Sequence, residues 1–155
     1  MDVPALLQRY RDLNLKIATA ESCTGGLVAG TLTAVAGSSD VYDRGWVTYS
    51  NEAKCEQLGV SSSLLDAHGA VSGEVAEAMA KGALHRSKAD VAISVTGIAG
   101  PGGGSAEKPV GLVFIGLARN DGWSQVERCQ FDGDRESVRA QTVTRALTHL
   151  YSATV

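Results

Sequence analysis

Apolar and polar positions switch between two spacings along the chain, and each switch marks the edge of a predicted element. Leu6, Leu7 and Tyr10 fall at helical spacing behind Pro4, which predicts a short amphipathic helix ending near Asn14. A mainly apolar run from Leu15 to Ala20 then reads as a strand. Gly26 to about Val35, rich in small residues, reads as a helix stopped by Gly37-Ser38-Ser39. The β-branched and aromatic set Val41, Tyr42, Trp46, Val47, Thr48 and Tyr49 predicts a strand from Val41 to Ser50, bulged at Gly45. Ser50 then caps a helix from Asn51 to Leu58 that Gly59 ends.

A short helical piece from Ser61 to Ala67 closes at Gly69, and Ser72 caps a helix through about Arg86 with Val75, Ala78, Met79 and Leu84 facing inward. Asp90 to Val95 is a compact apolar strand. The stretch Thr96 to Ser105 carries five Gly and one Pro and reads as a loop. Val110 to Ala118 and Trp123 to Phe131 form a hairpin about Asn120-Asp121-Gly122. Asp132-Gly133-Asp134 caps a last helix whose inner face is Val138, Val143, Ala146, Leu147 and Leu150. Helices alternating with strands, followed by a late antiparallel hairpin, predict a three-layer α/β/α sandwich on a mixed, mostly parallel sheet. Its ligand belongs at the carboxyl ends of the parallel strands.

Composition narrows the function. A chain of 155 residues predicts one domain spanning 1–155, and no internal repeat or linker divides it. The net charge of −3 gives no general attraction to nucleic acid or acidic lipid, so neither is an expected partner. No run is long enough for a membrane span, and Met1-Asp2-Val3-Pro4 does not open a signal peptide, which sets the expectation of a cytoplasmic protein. Cys23, Cys55 and Cys129 are odd in number and not interleaved with His68, His85 or His149 at ligand spacing, so neither disulfides nor a metal are expected.

Four stretches carry candidate chemistry. In Glu21-Ser22-Cys23-Thr24-Gly25-Gly26 a tight strand-to-helix turn places hydroxyls beside unpaired helical N–H groups, as an anion or a developing oxyanion requires. On these residues alone, simple N-capping by Ser22 or Thr24 is an equal reading. Lys54 falls in the first turn of its helix, where the dipole opposes a cation and partial burial would lower the amine pKa further, so it is a candidate base, with a lysine that snorkels to solvent as the other reading. Tyr49 precedes it and could orient or share a proton with either group, a packing tyrosine with a satisfied hydroxyl being the other reading. The Gly-rich loop, with Thr96, Gly97, Gly100, Gly102 and Gly103, fits neither the P-loop nor the dinucleotide fingerprint, so no nucleotide cofactor is expected. It offers N–H donors for an oxyanion or phosphate, and on sequence alone a flexible connection between strands is an equal reading. Arg135 and Arg139, one turn apart, are candidate phosphate ligands.

Seven strings, ESCTGG from Glu21, GSS from Gly37, VTYSNEAK from Val47, LGV from Leu58, HGAVS from His68, VTGIAGPGG from Val95 and KPVGLVFIGLA from Lys108, resemble the CinA C-terminal domain family in order and over nearly the whole chain. Ala36 departs from the proline that commonly precedes Gly-Ser-Ser. The resemblance implies a stand-alone nicotinamide-nucleotide amidase that converts nicotinamide mononucleotide to nicotinate mononucleotide and ammonia without a cofactor. It implies a serine/lysine mechanism with Ser22 and Lys54 as catalytic residues and Tyr49 in the same motif, and a homo-oligomer, a dimer for preference. A non-catalytic nucleotide-binding module linked to competence or DNA damage, and a hydrolase of a different amide, are the competing classes.

Overall fold

In the computed structural model, which describes residues 1–155, the elements run α1 (Val3–Asp12), β1 (Ile17–Glu21), α2 (Leu27–Thr33), β2 (Tyr42–Val47), α3 (Asn51–Leu58), α4 (Ser62–His68) and α5 (Gly73–His85). Then come β3 (Val91–Gly97), β4 (Leu112–Arg119), β5 (Ser124–Gln130) and α6 (Arg135–Ser152). One five-stranded sheet has the order β2-β1-β3-β4-β5. β1 pairs in parallel with β2 and β3, while β3–β4 and β4–β5 are antiparallel. Only β4 therefore opposes the other four strands, and β2, β1, β3 and β5 all end on the same edge of the molecule.

Alternation along the central strands splits the core in two. Ile17, Val91, Ile93, Val95, Ile115 and Leu117 face α1, α2 and α6 in a large aliphatic cluster. Ala18, Ala20 and Ala92 face the other way, against Val75, Met79 and Ala83 of α5 and Leu58 of α3. Small residues on that second face let α5 sit close to the sheet. A Cβ on Gly116 would stand 2.5 Å from the Ala76 carbonyl oxygen and 2.6 Å from Ser94 Oγ, so only glycine fits there.

The structure departs from the sequence expectations at four places, the first being that β2 stops at Val47 and does not reach Ser50. The β2 irregularity lies at Asp43, between the Ile17–Tyr42 and Ala18–Arg44 partners, and not at Gly45, which pairs in register with Thr19. Gly45 is needed because a side chain there would strike the hydrogen-bonded hydroxyls of Thr19 and Tyr42, 2.8 Å apart. On α5 the buried stripe is Val75, Ala76, Met79, Ala80 and Ala83, whereas Ala78 and Leu84 are only half-buried. That helix packs against the sheet and also against α3 and α4, so its covered face is broader and richer in alanine than a single stripe. Lastly, β3 continues through Thr96 and Gly97, which pair with Phe114 and Val113, so the loop begins at Ile98. Ile98 ties its base down by donating its N–H to the Leu112 carbonyl (2.9 Å) and accepting from Gly111 (2.7 Å).

Candidate active site

Ser22 is the first residue beyond β1, and its backbone is held between the neighbouring strands. Its N–H donates to the Val95 carbonyl of β3 at 2.9 Å, and the carbonyl of the preceding Glu21 accepts from Thr48 N–H at 2.9 Å. The turn that follows needs Gly25 and Gly26, whose φ values of +59° and +106° are left-handed. Their role is therefore backbone conformation more than clearance for a ligand.

Beyond β2, the Ser50 hydroxyl caps α3 by accepting from Ala53 N–H at 3.0 Å, which puts Lys54 at the end of the first turn. The lysine points into the molecule and is only 1% exposed. Its Nζ lies 3.0 Å from Ser22 Oγ and donates to the Thr48 carbonyl at 2.9 Å. No carboxylate stands within ion-pair distance of that amine. Burial pushes the Lys54 pKa below the ordinary 10.5, and nearby Cys23 and Cys55 oppose this only in part. A neutral amine satisfies the same contacts by donating to Thr48 and offering its lone pair to the Ser22 O–H. The pair thus has the geometry of a nucleophile and its base.

The Glu21 carboxylate, 1% exposed, accepts from Thr24 Oγ1 (2.6 Å), Val28 N–H (2.8 Å) and Ala29 N–H (3.0 Å). It therefore occupies the start of α2. The sequence expectation that those helical N–H groups await an anion is corrected here, because the protein supplies its own carboxylate. Donors do remain in the turn. Cys23 N–H and Thr24 N–H have no partner within the protein, nor do those of Gly100, Gly102 and Gly103.

Ser22 and Lys54 sit in a cleft of about 270 Å³ lined also by Cys23, Tyr49, Thr96, Gly97, Gly100, Gly102, Gly103 and Arg135. Thr96 is fixed there by its hydroxyl, which donates to the Ala70 carbonyl at 2.8 Å. Burial raises the Cys23 thiol pKa to about 11, which leaves it a poor rival nucleophile. Tyr49, 62% exposed, stands at the rim, where its hydroxyl accepts from Arg135 Nη2 at 3.1 Å and bonds neither Ser22 nor Lys54. Arg135 Nη1 also donates to the Gly100 carbonyl at 2.8 Å, so the arginine bridges the Gly-rich loop and Tyr49. Arg139 does not line the cleft; its guanidinium donates to the carbonyls of Cys23 (3.1 Å) and Thr24 (3.2 Å).

Sequence reasoning missed Asn51, Ala70, Val71, Ile98 and Ala99 among the lining residues. Ala70 and Val71 belong to the His68–Ser72 string that the resemblance singles out, yet apolar residues between two helices carry no chemical signal. A larger hollow of about 490 Å³ lies at the far end of the sheet around Lys81, His85, Arg119 and Trp123, and it holds no comparable nucleophile and base.

A model of the CinA C-terminal domain matches residues 3–154. The nicotinamide-nucleotide amidohydrolase PncC of Enterobacter agglomerans is 58% identical over 131 residues, 84% of this chain and 80% of that protein. A CinA-like protein of Akkermansia muciniphila is 53% identical over 140 residues, 90% of this chain and only 34% of its own length, so the chain spans about a third of relatives of that kind. Among solved structures, the competence/damage inducible protein of Agrobacterium tumefaciens superposes with a TM-score of 0.95 at 49% identity, covering 100% of this chain and 97% of that one. A CinA superfamily protein of Escherichia coli gives 0.93 at 40% identity, covering 97% and 87%. With a family match over nearly its full length and relatives this similar, the chain belongs to the CinA C-terminal domain family.

Proposed function

We propose that the chain hydrolyses the carboxamide of nicotinamide mononucleotide, giving nicotinate mononucleotide and ammonia. The reading is carried by the buried Lys54 amine 3.0 Å from Ser22 Oγ, and the activity named for the Enterobacter agglomerans relative supports it. Neutral Lys54 takes the Ser22 hydroxyl proton as Oγ bonds the carboxamide carbon. The carbonyl oxygen becomes an oxyanion beside the free N–H groups of the turn and the Gly-rich loop. Collapse breaks the C–N bond, and the proton held by Lys54 leaves on ammonia. Water then attacks the acyl ester, giving its proton to Lys54, and Ser22 recovers its own as the nicotinate departs.

Arg135 and the N–H groups of Gly102 and Gly103 form the anion-binding end of the cleft and bind the phosphate, with Tyr49 closing the rim. Arg139 is already committed to the Ser22 turn and lies outside that end. The experiment is ammonia release from nicotinamide mononucleotide, the dinucleotide, nicotinamide riboside and free nicotinamide. Turnover fastest on the mononucleotide and at least about tenfold slower on the riboside supports the reading. Stoichiometric binding of the mononucleotide without ammonia would identify a binding module and overturn it.

A further inference from the structure

Arg139 holds the turn that carries the nucleophile, and the hydrogen bonds show how its hold reaches the reacting atoms. In a trans peptide group the carbonyl and the following N–H point in opposite directions. Arg139 Nη2 draws the Thr24 carbonyl toward α6 at 3.2 Å, which turns the Gly25 N–H of the same peptide back into the turn, where it meets the Ser22 carbonyl at 3.0 Å. Fixing the Ser22 carbonyl in turn fixes the Cys23 N–H of that peptide on the opposite side. That N–H has no partner in the protein, and Cys23 lines the cleft next to Ser22. A second bond, from Arg139 Nε to the Cys23 carbonyl at 3.1 Å, holds the intervening peptide.

We propose that Arg139 is a positioning residue that aims and polarises the Cys23 N–H as the oxyanion donor, acting through the Thr24–Gly25 and Ser22–Cys23 peptides. The inference rests on the reading of Ser22 as nucleophile. Hydrogen bonds in series polarise one another, so a guanidinium at the head of the series strengthens the donor at its end. The charge of Arg139 is thereby brought to bear on the transition state without the side chain touching the substrate. An arginine supplies this where a lysine does not, because two donors in a fixed fork hold two successive carbonyls.

The test compares wild type with Arg139→Ala and Arg139→Lys, each checked for an unchanged circular dichroism spectrum. Three readouts are taken: kcat and KM for nicotinamide mononucleotide, affinity for the product nicotinate mononucleotide, and inhibition by 3-pyridylboronic acid, which adds to a serine hydroxyl as a tetrahedral anion. The expected result is a kcat lowered about ten- to hundredfold, somewhat less than deletion of an oxyanion donor costs. KM and product affinity should move less than about threefold, boronate inhibition should weaken in step with kcat, and added guanidinium ion should restore part of the lost rate in Arg139→Ala. A folded Arg139→Ala with unchanged kcat overturns the inference. So does a parallel loss of product affinity with boronate inhibition unmoved and no guanidinium rescue. A wild-type protein that releases no ammonia would count against the parent reading, and 3-pyridylboronic acid binding followed by calorimetry in wild type and Arg139→Ala, needing no turnover, would still decide the role of Arg139.

Discussion

A lysine buried to 1% exposure without a carboxylate partner is costly if charged, and that cost is what suits Lys54 to the proposed role of base. Its protonation sets a pH dependence with a definite sign. Desolvation lowers its pKa, so the neutral, competent form accumulates as pH rises, and kcat/KM should climb with a midpoint below the ordinary 10.5. A pH–rate profile that is flat from pH 6 to 10 would contradict this. The proposed role of Arg135 lies in substrate binding instead: Arg135→Ala should raise KM for nicotinamide mononucleotide about tenfold, or about 1.4 kcal/mol, with kcat within about threefold, as steady-state kinetics would show. Of these residues Ser22, Lys54 and Arg135 were legible in the sequence as candidates, each by its place on a helix or turn, and the family resemblance singled out the first two. The separate tasks of Glu21 and Arg139 were not. An acidic residue that caps a helix from within, and an arginine that grips carbonyls more than a hundred residues away, leave no local signature.

At the level of elements, α6 is fastened to the edge strand β5 by one carboxylate. Glu127 accepts from Arg145 Nε (2.7 Å) and Nη2 (2.5 Å), from the His149 ring at 2.5 Å, and from the Cys129 thiol at 3.4 Å. Arg145 chiefly, with His149 and Cys129 adding to it, lowers the Glu127 pKa from 4.5 to about 2, despite partial burial. Because the folded-state value is the lower one, this stabilisation is full above pH 4.5 and is lost as pH falls toward 2. Partial exposure reduces its worth, so Glu127→Gln should cost about 1–2 kcal/mol at pH 7 in urea unfolding and almost nothing at pH 2. An equal loss at both pH values would show that the contact works by shape alone. Helix caps at Ser50, Ser72 and Asp134 were readable because each polar residue stands immediately before a periodic run, whereas Ser61, read as the first helical residue, is the cap of α4. The bulge at Asp43 was not, since a backbone irregularity in an edge strand is set by its neighbour β1 and leaves no mark in local composition.

For the molecule as a whole, the direction of the strands decides where chemistry can occur. β1, β2, β3 and β5 end on one edge, and the segments that follow them supply Ser22, Lys54, the Gly-rich loop and Arg135 in that order. Alternating periodicity made the layered α/β fold and the late hairpin readable, and the rule that ligands gather at strand carboxyl ends pointed to the edge that carries the candidate cleft. The sheet order, with β1 between β2 and β3, and the closing of Ala70 and Val71 over the cleft came only from tertiary packing. The account stands or falls on the alcohol and the amine working as a unit. Its most direct test is ammonia release from nicotinamide mononucleotide by Ser22→Ala, Lys54→Ala and the double variant, each shown to be folded. Each single variant should lose at least about a thousandfold in kcat, and the double variant should be no worse than the poorer single one. Retention of more than about a tenth of wild-type turnover by either single variant, or losses that multiply in the double variant, would contradict it.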